Sequence, residues 1–219
     1  MRKSLILMGL LLVVAGTGAA QDDFPKVETS PGFMFIHTSP PFGSQVGNQS
    51  FNCVGAGGTF AYNLTKLLGL AADMGGCKFV NLGGQFGGVI GNQISANNFN
   101  FLFGPRLTLR GDSAFQPFAE VNFGGSRLSL SCNSNTNCMK YFGTGTYSWT
   151  AFAMTAGGGF QIKLNRKFSW RPVQAEYLYT RFGNSCSVGG VCLAGNQSQN
   201  SFRLKSGIVI GWGGSASSK

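Results

Sequence analysis

The stretch Phe99-Asn100-Phe101-Leu102-Phe103-Gly104-Pro105-Arg106-Leu107-Thr108-Leu109-Arg110 sorts its side chains by parity. Phe99, Phe101, Phe103, Pro105, Leu107 and Leu109 hold one phase, and Asn100, Arg106, Thr108 and Arg110 hold the other. Successive side chains of a strand point to opposite faces, so this segment predicts a strand with one apolar and one charged face. The same parity recurs elsewhere. Glu120 lies opposite Ala119, Val121 and Phe123, Glu176 opposite Val173, Ala175, Tyr177 and Tyr179, and Asp73 opposite Leu70, Ala72 and Met74. Arg203 and Lys205 lie opposite Phe202, Leu204 and Ile208, and Lys163 opposite Phe160 and Ile162. Leu102, Phe118 and Leu178 break the rule by falling on the charged side. A wall that faces lipid and turns its charges inward explains the pattern, because a cation on the lipid face costs roughly 2–4 kcal/mol at the bilayer midplane.

Eight segments of this kind run at about residues 26–37, 51–64, 68–77, 99–110, 115–126, 148–163, 169–182 and 200–212. Each has ten or more residues, whereas soluble strands average about five or six. Long connections (38–50, 78–98, 127–147, 183–199) alternate with short ones (65–67, 111–114, 164–168). That layout predicts an all-β fold, an eight-stranded antiparallel up-and-down transmembrane β-barrel with both termini on the short-turn side. Phe99, Trp149, Tyr179 and Phe202 near the long loops, and Tyr62, Phe115, Trp170 and Trp212 near the short turns, are expected to form two interfacial girdles. Strict counting nevertheless puts Trp149 and Trp170 on the inward phase, and alternation leaves the phase of the first strand open around Phe33 to His37. A soluble β-sandwich, the competing fold, predicts shorter strands and no girdles.

Residues 1–20 read as a secretory signal peptide: basic Arg2 and Lys3, an apolar core from Leu5 to Ala15, and small residues Gly18 and Ala20 before Gln21. The expected organisation is then a barrel over residues 21–212 and a short tail over 213–219. No other run approaches the roughly 18 apolar residues of a spanning helix, so a barrel is the remaining way to cross a bilayer. Removing Arg2 and Lys3 leaves fifteen basic residues against seven acidic ones, a net charge of +8. Scattered basic residues on an exported chain argue against nucleic acid and for anionic membrane partners, outer-membrane lipid and lipopolysaccharide.

Six cysteines in an exported chain read as disulfides. Cys53 and Cys77 are symmetric about the Thr65 turn on one phase, which makes a cross-strand bridge geometrically plausible, while Cys132 with Cys138 and Cys186 with Cys192 each fall within one long loop. They are expected to staple the outer loops. The five-residue spacing of both loop pairs and the remote single His37 argue against a metal site. His37 and Ser39 share the His-x-Ser spacing of barrel lipid A deacylases, but Pro40 and Pro41 follow and no acid lies near to orient the imidazole. No catalytic residue and no cofactor is therefore assigned.

Asp73, Arg106, Glu120, Glu176, Arg203 and Lys205 fall at similar depth on five of the segments. They are expected to pair inside the barrel, since isolated buried charge is costly. An eight-stranded barrel has little more than side-chain room inside, which favours a polar plug over a conducting path.

The segment Lys205-Ser206-Gly207-Ile208-Val209-Ile210-Gly211-Trp212 ends on an aromatic after polar, glycine and apolar residues, much like the terminal assembly signal of bacterial outer-membrane proteins. With the eight-segment layout, the chain over about residues 26–212 resembles the OmpA-like and OmpX-like group of small outer-membrane β-barrels. A tail follows that aromatic and no peptidoglycan-binding domain follows the barrel, so cell-wall anchoring does not carry over. The resemblance implies a monomer placed in the bacterial outer membrane by the barrel assembly machinery, with a salt-bridge network filling its interior. The expected role is structural or surface-interactive, adhesion or ligand binding through the loops. The alternatives are a narrow diffusion pore and a lipid A-modifying enzyme that uses His37. The barrel reading predicts a mobility shift on boiling in SDS gels of the outer-membrane fraction, whereas an unshifted band released with the soluble periplasm would point to the sandwich.

Overall fold

A computed structural model describes residues 24–38, 50–80, 94–132, 146–182, 185–186, 192–193 and 197–213. The expected signal at 1–20, the tail beyond Gly213, Ser39, Cys138 and Lys140 lie outside the described residues. The wall is built from β1 (Val27–Thr38), β2 (Phe51–Asn63), β3 (Leu68–Val80), β4 (Ile94–Thr108), β5 (Phe115–Cys132), β6 (Thr146–Lys163), β7 (Phe168–Phe182) and β10 (Gln197–Trp212). Each strand pairs antiparallel with its neighbours, and β10 pairs with both β7 and β1, closing the barrel in the order β1-β10-β7-β6-β5-β4-β3-β2. Closure leaves no open sheet edge, which a lipid environment requires. Between β7 and β10, β8 (Ser185–Cys186) and β9 (Cys192–Leu193) form a separate two-stranded ribbon. Among the described residues no helix is long and apolar enough to cross a membrane.

Local side chains fix the short turns. The Thr65 hydroxyl accepts from the Leu67 and Leu68 amides, and Asn165 Oδ1 accepts from the Lys167 and Phe168 amides, both at 2.8 Å. These are the side-chain-to-backbone bonds that make Thr and Asn good turn residues.

The outer face is apolar on every side. Phe33 is 79% exposed, and Phe103, Leu109, Ile208 and Trp170 are exposed with it. A surface of this kind around a whole molecule suits acyl chains rather than water. Trp170 is thus a correction to strict counting, and its cause lies in β7. Gly207 and Lys205 of β10 face Arg171 and Gln174, and Ile162 and Phe160 of β6 face Trp170 and Val173, so β7 has one extra residue relative to both neighbours. Pro172 sits in this bulge, where its missing N–H leaves no ladder bond unmade. The bulge inverts parity, sending Trp170 outward and Arg171 inward. Trp149, in contrast, does face inward and stacks on Tyr147 at 6.3 Å between ring centroids. It is therefore absent from the outer girdle, to which Phe99, Phe202, Tyr62, Phe115, Trp170 and Trp212 contribute exposed rings.

The first strand takes the phase with Glu28, Ser30, Met34, Ile36 and Thr38 buried, and Phe33 and His37 outward. At its middle, Gly32 pairs with Gly207 across the seam that closes the barrel. A Cβ on either would collide with the neighbouring strand, at the carbonyl oxygens of Ser206 and Pro31 respectively. Gly32→Val is expected to reduce the heat-modifiable folded fraction on unboiled gels sharply, while Gly111→Ala, with nothing within 4 Å of the added carbon, should leave it unchanged.

Candidate functional site

Register, added to parity, builds the interior network. Arg203 faces Glu176, Glu176 faces Gly157, Gly157 faces Glu120, and Glu120 faces Arg106. One row across β10, β7, β6, β5 and β4 thus reads cation, acid, glycine, acid, cation. Glycine at the centre matters, because a Cβ there would meet Glu176 Cα at 2.6 Å and Cγ at 2.9 Å.

Arg203 is fully buried. Its Nε donates to Glu176 Oε2 at 2.6 Å and its Nη2 to Asp73 Oδ2, so it ties β7 to β3 across the lumen. Lys205 Nζ lies 2.7 Å from Asp73 Oδ2 and 3.6 Å from Glu176 Oε2. Gln174 Nε2 donates to Glu120 Oε1 at 2.6 Å and Glu176 Oε1 at 2.9 Å, bridging the two acids. Arg106 lies 3.7 Å from Glu120 and 3.9 Å from Glu28. Arg110, two residues beyond β4, donates to Glu28 Oε1 at 2.7 Å. All six residues expected to form the interior charge network, Asp73, Arg106, Glu120, Glu176, Arg203 and Lys205, thus lie inside and within one connected set of contacts.

Glu28, Arg171 and Gln174 complete the set and escaped sequence reasoning. Glu28 was hidden by the unresolved phase of the first strand, and Arg171 by the bulge. An Arg-Pro step in mid-strand was the available signal for the latter, since proline within a sheet marks an edge or a bulge. Arg110 was legible on the charged face but not as a network member. Phe118, one of the three residues breaking parity, lies inside with the guanidinium carbons of Arg106 and Arg171 at 4.2 and 4.6 Å from its ring centroid. A buried ring face is a favourable neighbour for a guanidinium. The other two exceptions, Leu102 and Leu178, pack with Met34, Ile36, Cys53, Cys77 and Ala153 into an apolar cluster. The loop-side interior continues apolar through Tyr147, Trp149, Ala151 and Phe182.

Cys53 and Cys77 form a disulfide with Cα atoms 5.5 Å apart. It is buried within the apolar cluster and links adjacent wall strands β2 and β3, so this bridge is part of the barrel and not a loop staple. Cys186 and Cys192 are direct backbone partners in the β8–β9 ribbon. The partner expected for Cys132, Cys138, lies outside the described residues. His37 Nδ1 lies 2.8 Å from Asn52 Oδ1 on the outer face, a neighbour supplied by strand pairing.

The carboxylates of Asp73, Glu120 and Glu176 converge, with ligand atoms within 4.8 Å of one another. Arg203, Lys205, Gln174 and Arg106 already neutralise or hydrogen-bond them, so the cluster reads as an ion-pair core. Removing one member of a buried ion pair costs about 3–5 kcal/mol. With Lys205 still beside Asp73, Arg203→Met is expected to destabilise by about 3 kcal/mol in urea unfolding from micelles. Lys167→Met on an exposed turn should stay within about 0.5 kcal/mol.

Comparison with known proteins agrees with this architecture. Residues 6–209 match the family described as outer membrane protein beta-barrel domain. The crystal structure of Neisserial surface protein A superposes with a TM-score of 0.59 at 12% identity, covering 85% of this chain and 97% of that one. Ail, the attachment invasion locus protein of Yersinia pestis, gives 0.46 at 13% identity over 85% and 99% of the two chains. The outer membrane protein OprG of Pseudomonas aeruginosa gives 0.45 at 14% identity over 85% and 95%. No curated protein matches in sequence. A closed eight-stranded wall with a lipid-facing apolar surface, matched along nearly its whole length by that family, makes this chain a member of the outer membrane protein β-barrel family and a protein of the bacterial outer membrane.

Proposed function

We propose that the protein is a non-conducting, non-catalytic monomeric barrel whose work is done at its outer loops, as a structural or ligand-binding element of the cell surface. The observation that carries this reading is the filling of the lumen. Arg106, Arg203, Met34, Ile36, Leu178, Gln161, Gln174 and Glu176 are each less than 2% exposed, so charged and apolar side chains occupy successive depths of the interior. Eight strands enclose little more room than side chains fill. The Cys53–Cys77 bridge supports the loop role, because it ties the outer halves of β2 and β3 together beneath the connections that leave them. Rigid roots are what a binding loop requires of its scaffold.

Charge distribution supports lipopolysaccharide as a neighbour. Lys78, Arg127 and Arg181 are exposed near the loop ends of β3, β5 and β7, while four of the seven acidic residues are buried inside and Asp112 lies in a turn at the opposite end. Insertion by the barrel assembly machinery is part of the same proposal, on the strength of the terminal segment ending at Trp212. Planar bilayers containing the folded protein are expected to show no discrete conductance steps, and reproducible steps would replace this reading with a narrow pore. Arg127→Ser with Arg181→Ser is expected to weaken binding of the folded protein to lipopolysaccharide vesicles several-fold without loss of heat-modifiable mobility. Unchanged binding would remove these arginines from the proposal.

A further inference from the structure

Among the described residues the interior charges do not balance. Among the described residues five cations, Arg106, Arg110, Arg171, Arg203 and Lys205, share the lumen with four carboxylates, Glu28, Asp73, Glu120 and Glu176. Four of these cations lie within 4.0 Å of a carboxylate oxygen. Arg171 is the exception. Its Nη1 donates to Ser30 Oγ and Gln174 Oε1, both at 2.9 Å, and its Nη2 reaches Gln161 Oε1 at 3.5 Å, all neutral acceptors. The side chain is buried, only 2% exposed, and its Nε has no hydrogen-bond partner. It shares the Phe118 ring with another cation, Arg106, the guanidinium carbons lying 4.6 and 4.2 Å from the ring centroid, and Glu120, Glu28 and Glu176 act on it electrostatically without forming an ion pair with it. A surplus buried charge is strongly unfavourable unless something of opposite sign joins it.

Arg171 also borders a cavity, together with Lys205, Ser30, Gln174 and Ser206. The wall there has almost no side chains. Gly57, Gly32 and Gly207 are cross-strand partners on β2, β1 and β10, and Gly58 lies beside them on the lipid side. Phe33, exposed to lipid, borders the same space. The cavity volume is about 10 Å³, which is room for about one water-sized particle.

We infer that this cavity binds one small monovalent anion, a chloride ion or a single carboxylate group, against the Arg171 guanidinium. A single negative charge balances the described charges of the lumen, whereas a sulfate or phosphate dianion would overshoot the balance. Two sources present this chemistry. Chloride arrives from the aqueous phase, and a fatty-acid carboxylate arrives from the bilayer past Phe33 and Gly58.

The test uses the folded full-length barrel in micelles, unfolded by urea in sodium chloride and in sodium sulfate at equal ionic strength, sulfate being the dianion the charge balance excludes. A site-specific anion lowers the unfolding constant about a hundredfold when present at about a hundred times its Kd. Wild type is expected to gain stability in chloride, and Arg171→Gln, which lacks the surplus charge, is expected to lose that dependence. Equal gains in both proteins would overturn the inference as a general salt effect. Should Arg171→Gln not fold, wild-type crystals grown in bromide answer the question alone, through an anomalous peak at hydrogen-bond distance from Arg171. The membrane source is read in nanodiscs with oleate labelled at its carboxyl carbon. Gly58→Val adds its Cβ at no less than 3.4 Å from its neighbours, so it should fold and narrow the lipid side. An oleate signal lost in Gly58→Val assigns the site to a membrane carboxylate, and a chloride response that survives it assigns the site to an aqueous ion. Silence toward chloride, bromide and oleate together would overturn the inference.

Discussion

Arg203 is the constraint around which the interior is arranged. A guanidinium with no solvent contact must satisfy its donors within the barrel, and it does so by holding Glu176 on the adjacent strand and Asp73 across the lumen. Each acid would be as costly to bury alone as the arginine. The three groups are therefore mutually obligatory, and Lys205, Gln174, Glu120 and Arg106 extend the same requirement around the wall. Members come from β1, β3, β4, β5, β6, β7 and β10, so the network links the strands across the lumen as well as along the ladder. Arginine suits this work, since its planar, always-charged fork offers donors in fixed directions and here reaches two different carboxylates.

The interior is divided along its axis. Charges fill its middle and turn-side portion, and Met34, Ile36, Leu102, Leu178 and the disulfide form an apolar layer toward the loops, followed by Trp149, Tyr147 and Phe182. At the turn side, Phe24 is buried near Arg110 and Lys26, and Asn63 Nδ2 donates to Pro25 O at 2.7 Å, which draws the start of the described chain against the barrel end. A barrel packed in this way gains rigidity from both kinds of contact, dispersion in the apolar layer and directed ion pairs in the polar one. Rigidity of the wall frees the loops to vary, the usual division of labour between scaffold and connection.

The proposed surface role draws on where charge is not. Among the described acids only Asp112 is exposed, whereas Lys66, Lys163, Arg166 and Lys167 line the turns and Lys78, Arg127 and Arg181 stand near the loops. The protein therefore presents positive charge at both membrane interfaces and keeps nearly all its described negative charge inside. Anionic head groups on either side are the natural electrostatic complement.

Parity, together with strand length and the alternation of long and short connections, determined the class of fold, because a period of two sustained over membrane-length strands fits one face on lipid and the other on a polar interior. It also selected the six charged residues that meet inside, from Asp73 to Lys205. Tertiary structure decided what parity cannot express. The one-residue bulge at Pro172 moved Trp170 to lipid and Arg171 to the lumen, since a register shift appears only when β7 is laid against both β6 and β10. The phase of the first strand was settled by pairing on both its sides, which buried Glu28. Leu102, Phe118 and Leu178, which broke the pattern in one dimension, fit in three, two within an apolar layer and one beneath two guanidinium groups. Which acid meets which base was likewise a matter of register, because cross-strand neighbours are chosen by the ladder and not by the sequence of any single strand.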